Sequence, residues 1–208
     1  MTVRSIMSGG QTGADRGALE AAYDLGLSRG GWAPEGWRAE DGQIPLWYRA
    51  GMMQSPSSSY RVRTRANVEG SYGTLIVSLG ELAVDSGSYL TAKLARTVGK
   101  PCLHMTIDKL AHPTGAAIVR GWIDGKSIRT LNVAGPRESR EPGIQAATRA
   151  ALVALLCSVD MAKIFDHIEG PEDDGLARAA RGMRGNQAWT SPASWTKPED
   201  VQGEIDPD

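Results

Sequence analysis

The stretch GTLIVSLG, residues 73–80, constrains the fold more than any other. It is the clearest strand of the chain, with Leu75, Ile76 and Val77 at its centre and a glycine at its end. Behind it, SYLTAKLARTVGKP places Leu90, Leu94, Ala95 and Val98 on one helical face and stops at Gly99 and Pro101. The same alternation recurs along the chain. VRSIMS (3–8) predicts a strand and TGADRGALEAAYDLG a helix, with Thr12 as its cap, Asp15 in its electropositive first turn and Gly26 as its stop. CLHMTI (102–107) predicts a strand, PTGAAIVRGWI (113–123) a helix and IRTLNVAG (128–135) a strand. PGIQAATRAALVALLCSV (142–159) predicts a helix with Pro142 near its start. Strands that alternate with helices build a parallel sheet with helices on its faces.

In such a sheet right-handed crossovers bring the C-terminal ends of the strands to one edge, where ligands of open α/β folds bind. Three small-residue loops fall there: SGGQTG, SLGELAVDSGS and NVAGPRESREPG. Residues 28–72 break the alternation. They are rich in glycine, proline and tryptophan, and a connection this long is either functional or disordered. Its aromatics argue against disorder. With 208 residues the chain divides into a domain over 1–169 and an acidic tail over 170–208, which reads as mobile apart from a short helix at LARAARGM.

The net charge of −1 is unevenly spread: residues 1–170 carry +3 and residues 171–208 carry −4. A body at +3 lacks the basic footprint of a nucleic-acid binder but suits a small anion. No apolar run reaches spanning length and no secretory signal opens the chain, so neither a membrane partner nor export is expected. Cys102 and Cys157 are far apart, which fits a cytoplasmic protein whose cysteines are small buried hydrophobes.

SGGQTGADRG poses the functional question. A strand, a glycine turn and a helix start leave backbone N–H groups pointing outward beside a positive dipole. Gly9, Gly10, Gln11, Thr12 and Gly13 then form either a phosphate cradle or a plain tight turn. The spacing is neither GxGxxG nor a P-loop. Arg137, just past a strand, can grip a phosphate bidentately or pair with Glu138 or Glu141. Ser86, Gly87 and Ser88 offer further amides or a simple helix cap. Arg61, Arg63 and Arg65 share a face if they lie on a strand and scatter if they lie on a helix. The histidines are dispersed and no zinc pattern is present, so no metal is expected. Asp15, Glu35, Glu40, Asp41 and Asp85 lie near the loops as acids or bases, and Asp15, Glu40 and Asp41 are the candidates for catalysis.

Five motifs occur in one order: SGGQTGADRGALEAA, GGWAPEGWRAEDGQIP, YRVRTRANVEGSYGTLIV, SGSYLTAKLARTVGKP and LNVAGPRESREPGI. Over residues 3–157 the chain resembles the molybdenum carrier family, the circularly permuted YpsA-like branch of the SLOG superfamily. The resemblance implies a Rossmann-like three-layer sandwich with a mainly parallel sheet and helices on both faces. It also implies a ligand that is nucleotide-like or of molybdopterin type. Gly9 to Gly13 match the first glycine motif, with Asp15 and Arg16 following. Arg63, Thr64 and Asn67 match its RT..NV pattern, and Gly135, Pro136 and Arg137 its last loop. The chain departs from the family at SGSY, where SGGT is usual, and at Ala33 and Trp37, where a cysteine and a basic residue are usual. The expected role is therefore a carrier that binds a small phosphate-bearing molecule, with Arg16 and Arg137 neutralising charge and Trp32 or Trp37 covering a planar ring. The alternatives are a nucleotide N-glycosidase or phosphoribohydrolase, whose GGxGTxxE signature this chain lacks, and a sensor of an ADP-ribose-like signal. The helices LARTVGKP and TRAALVALLCSV carry apolar residues compatible with a homo-oligomer.

Overall fold

The computed structural model describes residues 3–157; the predicted tail, the LARAARGM helix and the domain boundary near 169 lie outside them. The strands are β1 (Ser5–Met7), β2 (Ser28–Ala33), β3 (Arg38–Ala39), β4 (Gly42–Gln43), β5 (Met52–Gln54), β6 (Gly73–Ser78), β7 (Cys102–Thr106) and β8 (Thr130–Ala134). The helices are α1 (Ala14–Asp24), α2 (Leu46–Arg49), α3 (Tyr60–Gly70), α4 (Gly87–Thr97), α5 (Ile107–Ala111), α6 (Pro113–Gly125) and α7 (Ile144–Leu156). Six strands form one sheet in the order β5-β2-β1-β8-β6-β7, and every pairing in it is parallel. Helices α1, α5, α6 and α7 pack together on one face, and α3 packs with α4 on the other. This is the three-layer Rossmann-like α/β arrangement.

The core follows the apolar pattern. All six residues of β6 are buried, as a central strand covered on both faces requires. Ile6, Leu75, Val77, Leu131 and Val133 meet Ala14, Ala18, Ile144, Leu152 and Leu155 in the main cluster. Helices α1 and α7 approach closely because Gly17 has no Cβ; one would strike the carbonyl of Gln145. A second cluster, built from Leu19, Ala33, Ile44, Tyr48 and Met52, gives the irregular segment its own core.

Several expectations shift. Thr12 does not cap α1: Gly13 is the N-cap and no side chain caps that end. Residues 60–70 are helical, so the three arginines scatter, and Arg65 turns out to an exposed pair with Glu69 at 2.7 Å. The segment 28–72 is not structureless but contributes two sheet strands, the β3–β4 hairpin and two helices. Helix α7 starts one residue beyond Gly143, whose φ is +89°, rather than at Pro142. Cys157 is exposed, because it lies just past the last buried turn of α7.

Candidate functional site

Because the sheet is parallel, the loops after β1, β6 and β8 share its C-terminal edge. Residues 8–19, from the glycine loop into α1, are all buried. The glycines are there for space. A Cβ on Gly9 would collide with the Arg63 guanidinium, and one on Gly13 would lie 2.5 Å from the carbonyl oxygen of Pro136. Gly13 also has φ +79° and ψ −133°, a conformation that side chains exclude. Among the described residues, the N–H groups of Gly9, Gly10 and Gly13 have no acceptor. The Ala14 N–H is satisfied internally, donating to the Pro136 carbonyl at 3.1 Å.

Charged groups surround this loop. The Asp15 carboxylate is buried beneath it, accepting from the Gln11 N–H and from Arg63 Nη1, each at 3.3 Å. Burial raises the pKa of Asp15, against the opposing effects of Arg63, the Gln11 N–H and Ser8. Arg16 is taken up differently. Its two terminal nitrogens grip Asp41 at 2.7 and 2.8 Å, its Nε donates to the Gly10 carbonyl, and its guanidinium lies over the Tyr48 ring. The same pair holds Asp41 below the usual carboxylate range: the Arg16 hydrogen bonds outweigh its partial burial.

Glu40, at the turn of the β3–β4 hairpin, accepts from the Thr12 hydroxyl, from the Ser139 N–H at 3.3 Å and from Ser139 Oγ at 2.5 Å. Partial desolvation would raise its pKa, but these bonds and the Arg137 charge prevail and lower it. Gln11 Oε1 accepts from the N–H groups of Thr12 and Glu40, at 3.0 and 2.8 Å, while its Nε2 is buried without an acceptor. Arg63 and Arg137 converge on the Tyr60 ring, 5.7 and 5.4 Å from its centroid. Residues from the first loop, the hairpin, α3 and the β8–α7 loop therefore meet at one place.

Other predicted residues take structural positions. Asn67 pairs with the backbone of Trp32, accepting from its N–H at 2.7 Å and donating to its carbonyl at 3.0 Å. Gly135 allows β8 to approach Val77 and Ala14, and the Pro136 carbonyl binds α1. Ser86 caps α4, accepting from the Tyr89 N–H at 3.0 Å; Gly87 opens that helix and Ser88 is buried in its first turn. The Trp37 ring lies beneath the Arg49 guanidinium at 5.0 Å. His104 Nε2 lies 2.7 Å from Ser78 Oγ, whose hydrogen goes to the Gly80 carbonyl, and burial lowers its pKa. Tyr60 and Ser139 were missed: Ser139 meets Glu40 across 99 residues, a pairing no local spacing reports. The only local signals were Tyr60 at the start of an arginine-rich helix and Ser139 inside a charged loop.

Among the described residues, no group of three or more His, Cys, Asp or Glu side chains is placed to hold a metal ion, and no helix is long and apolar enough to cross a membrane. The family model described as the circularly permutated YpsA SLOG family matches residues 6–156. A solved structure from Syntrophus aciditrophicus SB, named "Putative molybdenum carrier protein", is 41% identical with a TM-score of 0.70, covering 74% of this chain and 96% of that one. No curated protein matches the chain.

Proposed function

The chain belongs to the circularly permuted YpsA SLOG family, and from that premise we propose that it binds a small phosphate-bearing molecule at the glycine loop, as a cytoplasmic carrier. The ligand is nucleotide-like or a pterin of molybdenum-cofactor type. One observation carries the reading: three glycine N–H groups without acceptors lie beside two arginines that converge on Tyr60. Donors of this kind suit an anion with several acceptor oxygens, and the exposed Arg137 adds a charged donor at the same place. The name of the Syntrophus protein supports the molybdenum-cofactor version. The side chains suit a cargo held through its own phosphate better than a bare metal ion, since no ligand cluster accompanies them among the described residues. Retention is favoured over turnover because all three candidate catalytic acids are engaged: Asp15 with Arg63, Asp41 with Arg16, and Glu40 with Thr12 and Ser139.

Native mass spectrometry of freshly purified protein tests retention and reports the oligomeric state together. Titration with AMP tests the site: Arg137→Ala weakens binding about tenfold, the worth of one charge-assisted contact. Equal affinity removes Arg137 from the site.

A phosphoribohydrolase is the second reading. It draws on the opposed shifts of two nearby carboxyls, Asp15 raised and Glu40 lowered, a pattern that separates acid from base in hydrolytic sites. It requires free base to be released from a nucleoside monophosphate, and silence across a nucleotide panel removes it.

A further inference from the structure

The glycine loop is buried, with Gln11 and Thr12 only 5% and 7% exposed. Over its Thr12 end stands the β3–β4 hairpin, a separate sheet with two residues in each strand. Glu40 and Asp41 anchor the turn of that hairpin, and Glu40 is itself exposed. The surroundings of the Glu40 carboxylate are those of a bound anion. It takes the Thr12 hydroxyl, the N–H and hydroxyl of Ser139 and the charge of Arg137, and its backbone N–H sits on the Gln11 amide. The Nε2 of that amide, its donor group, is buried with no acceptor.

We propose that Thr12, Ser139 and Arg137 form an anion subsite for a phosphate monoester, that Glu40 is its internal occupant, and that ligand binding displaces Glu40 and lifts the β3–β4 hairpin from the glycine loop. The inference rests on the phosphate-binding reading and specifies how the ligand enters. A phosphate monoester carries more charge than a carboxylate and offers three terminal oxygens. It satisfies the Thr12 and Ser139 donors and adds an acceptor for Gln11 Nε2 and the glycine N–H groups, which Glu40 leaves unused. The contacts given up beside Glu40 are its N–H bond to Gln11 Oε1 and the Arg16–Asp41 pair, in which the guanidinium is 7% and the carboxylate 45% exposed, so solvent screens the pair from the Asp41 side only. A neutral nucleoside offers no charge to compete with Glu40, so the subsite selects phosphate monoesters over their nucleosides.

The test is titration of the full chain with AMP, with adenosine as the uncharged control. Glu40→Ala, shown to be folded by its circular dichroism and thermal transition, binds AMP about tenfold more tightly than wild type. Glu40→Asp keeps the charge but shortens the reach to Thr12, so it also binds more tightly; an increase confined to Glu40→Ala indicates general repulsion and overturns the proposal. Thr12→Val in the Glu40→Ala background abolishes most of the gain. In wild type, AMP accelerates amide hydrogen exchange across residues 38–43; unchanged or slower exchange overturns displacement. If wild type binds AMP and Glu40→Ala binds no more tightly, the subsite fails and the glycine cradle stands. If neither protein binds AMP, both fail.

Discussion

Two loops of similar composition leave the same edge of the sheet and are built in opposite ways. SGGQTG, after β1, is buried throughout, and its glycines are pressed against Arg63, Ile44 and the backbone of Pro136. The loop after β6, residues 79–86, is largely exposed; Gly80 within it and Gly87 at the start of α4 have nothing within 4 Å of a notional Cβ. Among the described residues it is held by the Leu79 N–H on Glu141 at 2.5 Å, by Ser78 Oγ on the Gly80 carbonyl and by the Ser86 cap. Small residues in a loop therefore do not fix how closely it is packed. What distinguishes the first loop is that distant segments close on it and still leave three N–H donors unused.

The largest effect expected from this contrast is at Gly13. Gly13→Ala forces a Cβ into a glycine-only conformation and against the Pro136 carbonyl, and costs about 3 kcal/mol or more in denaturant unfolding. A loss below 1 kcal/mol would mean that the first loop yields as readily as the second. The next effect is a dependence on pH. Burial raises the pKa of Asp15, so the folded chain holds this proton more tightly than the unfolded chain does. As pH rises past about 4 the unfolded chain loses the proton first, and this contribution to stability falls until pH passes the folded value of Asp15. Glu40 and Asp41, both lowered, act with the opposite sign: their contributions are present above the unfolded carboxylate value and are lost as pH falls. Asp15→Asn removes the falling component, and an unchanged stability profile refutes the assignment.

Smaller effects belong to the second loop. Glu141→Ala removes its contact with the β8–α7 loop, costs about 0.5–1 kcal/mol and speeds amide exchange over residues 79–86 while leaving exchange over 8–13 unchanged. Spread of that exchange into the first loop would show that the two are coupled. Gly87→Ala meets open space at the start of α4 and changes stability by about 0.5 kcal/mol or less.

The repeating pattern determined the parallel α/β class without help from the structure. The strand signal at 73–78, the helical faces of α1, α4 and α7 and the stop at Gly99 are local signals, because strand and helix bury side chains with different periods. Local rules also located the small-residue loops, since every strand of a parallel sheet ends on the same edge. They left the opening loop undecided between cradle and turn, and offered Thr12 as a cap when its hydroxyl instead binds Glu40. The pairings that define the site were decided only in three dimensions. Arg63 with Asp15, Arg16 with Asp41 and Ser139 with Glu40 are separated by 48, 25 and 99 residues. Each depends on which strands are neighbours and on where the hairpin settles. Charge acts through space, and a sequence records distance only along the chain.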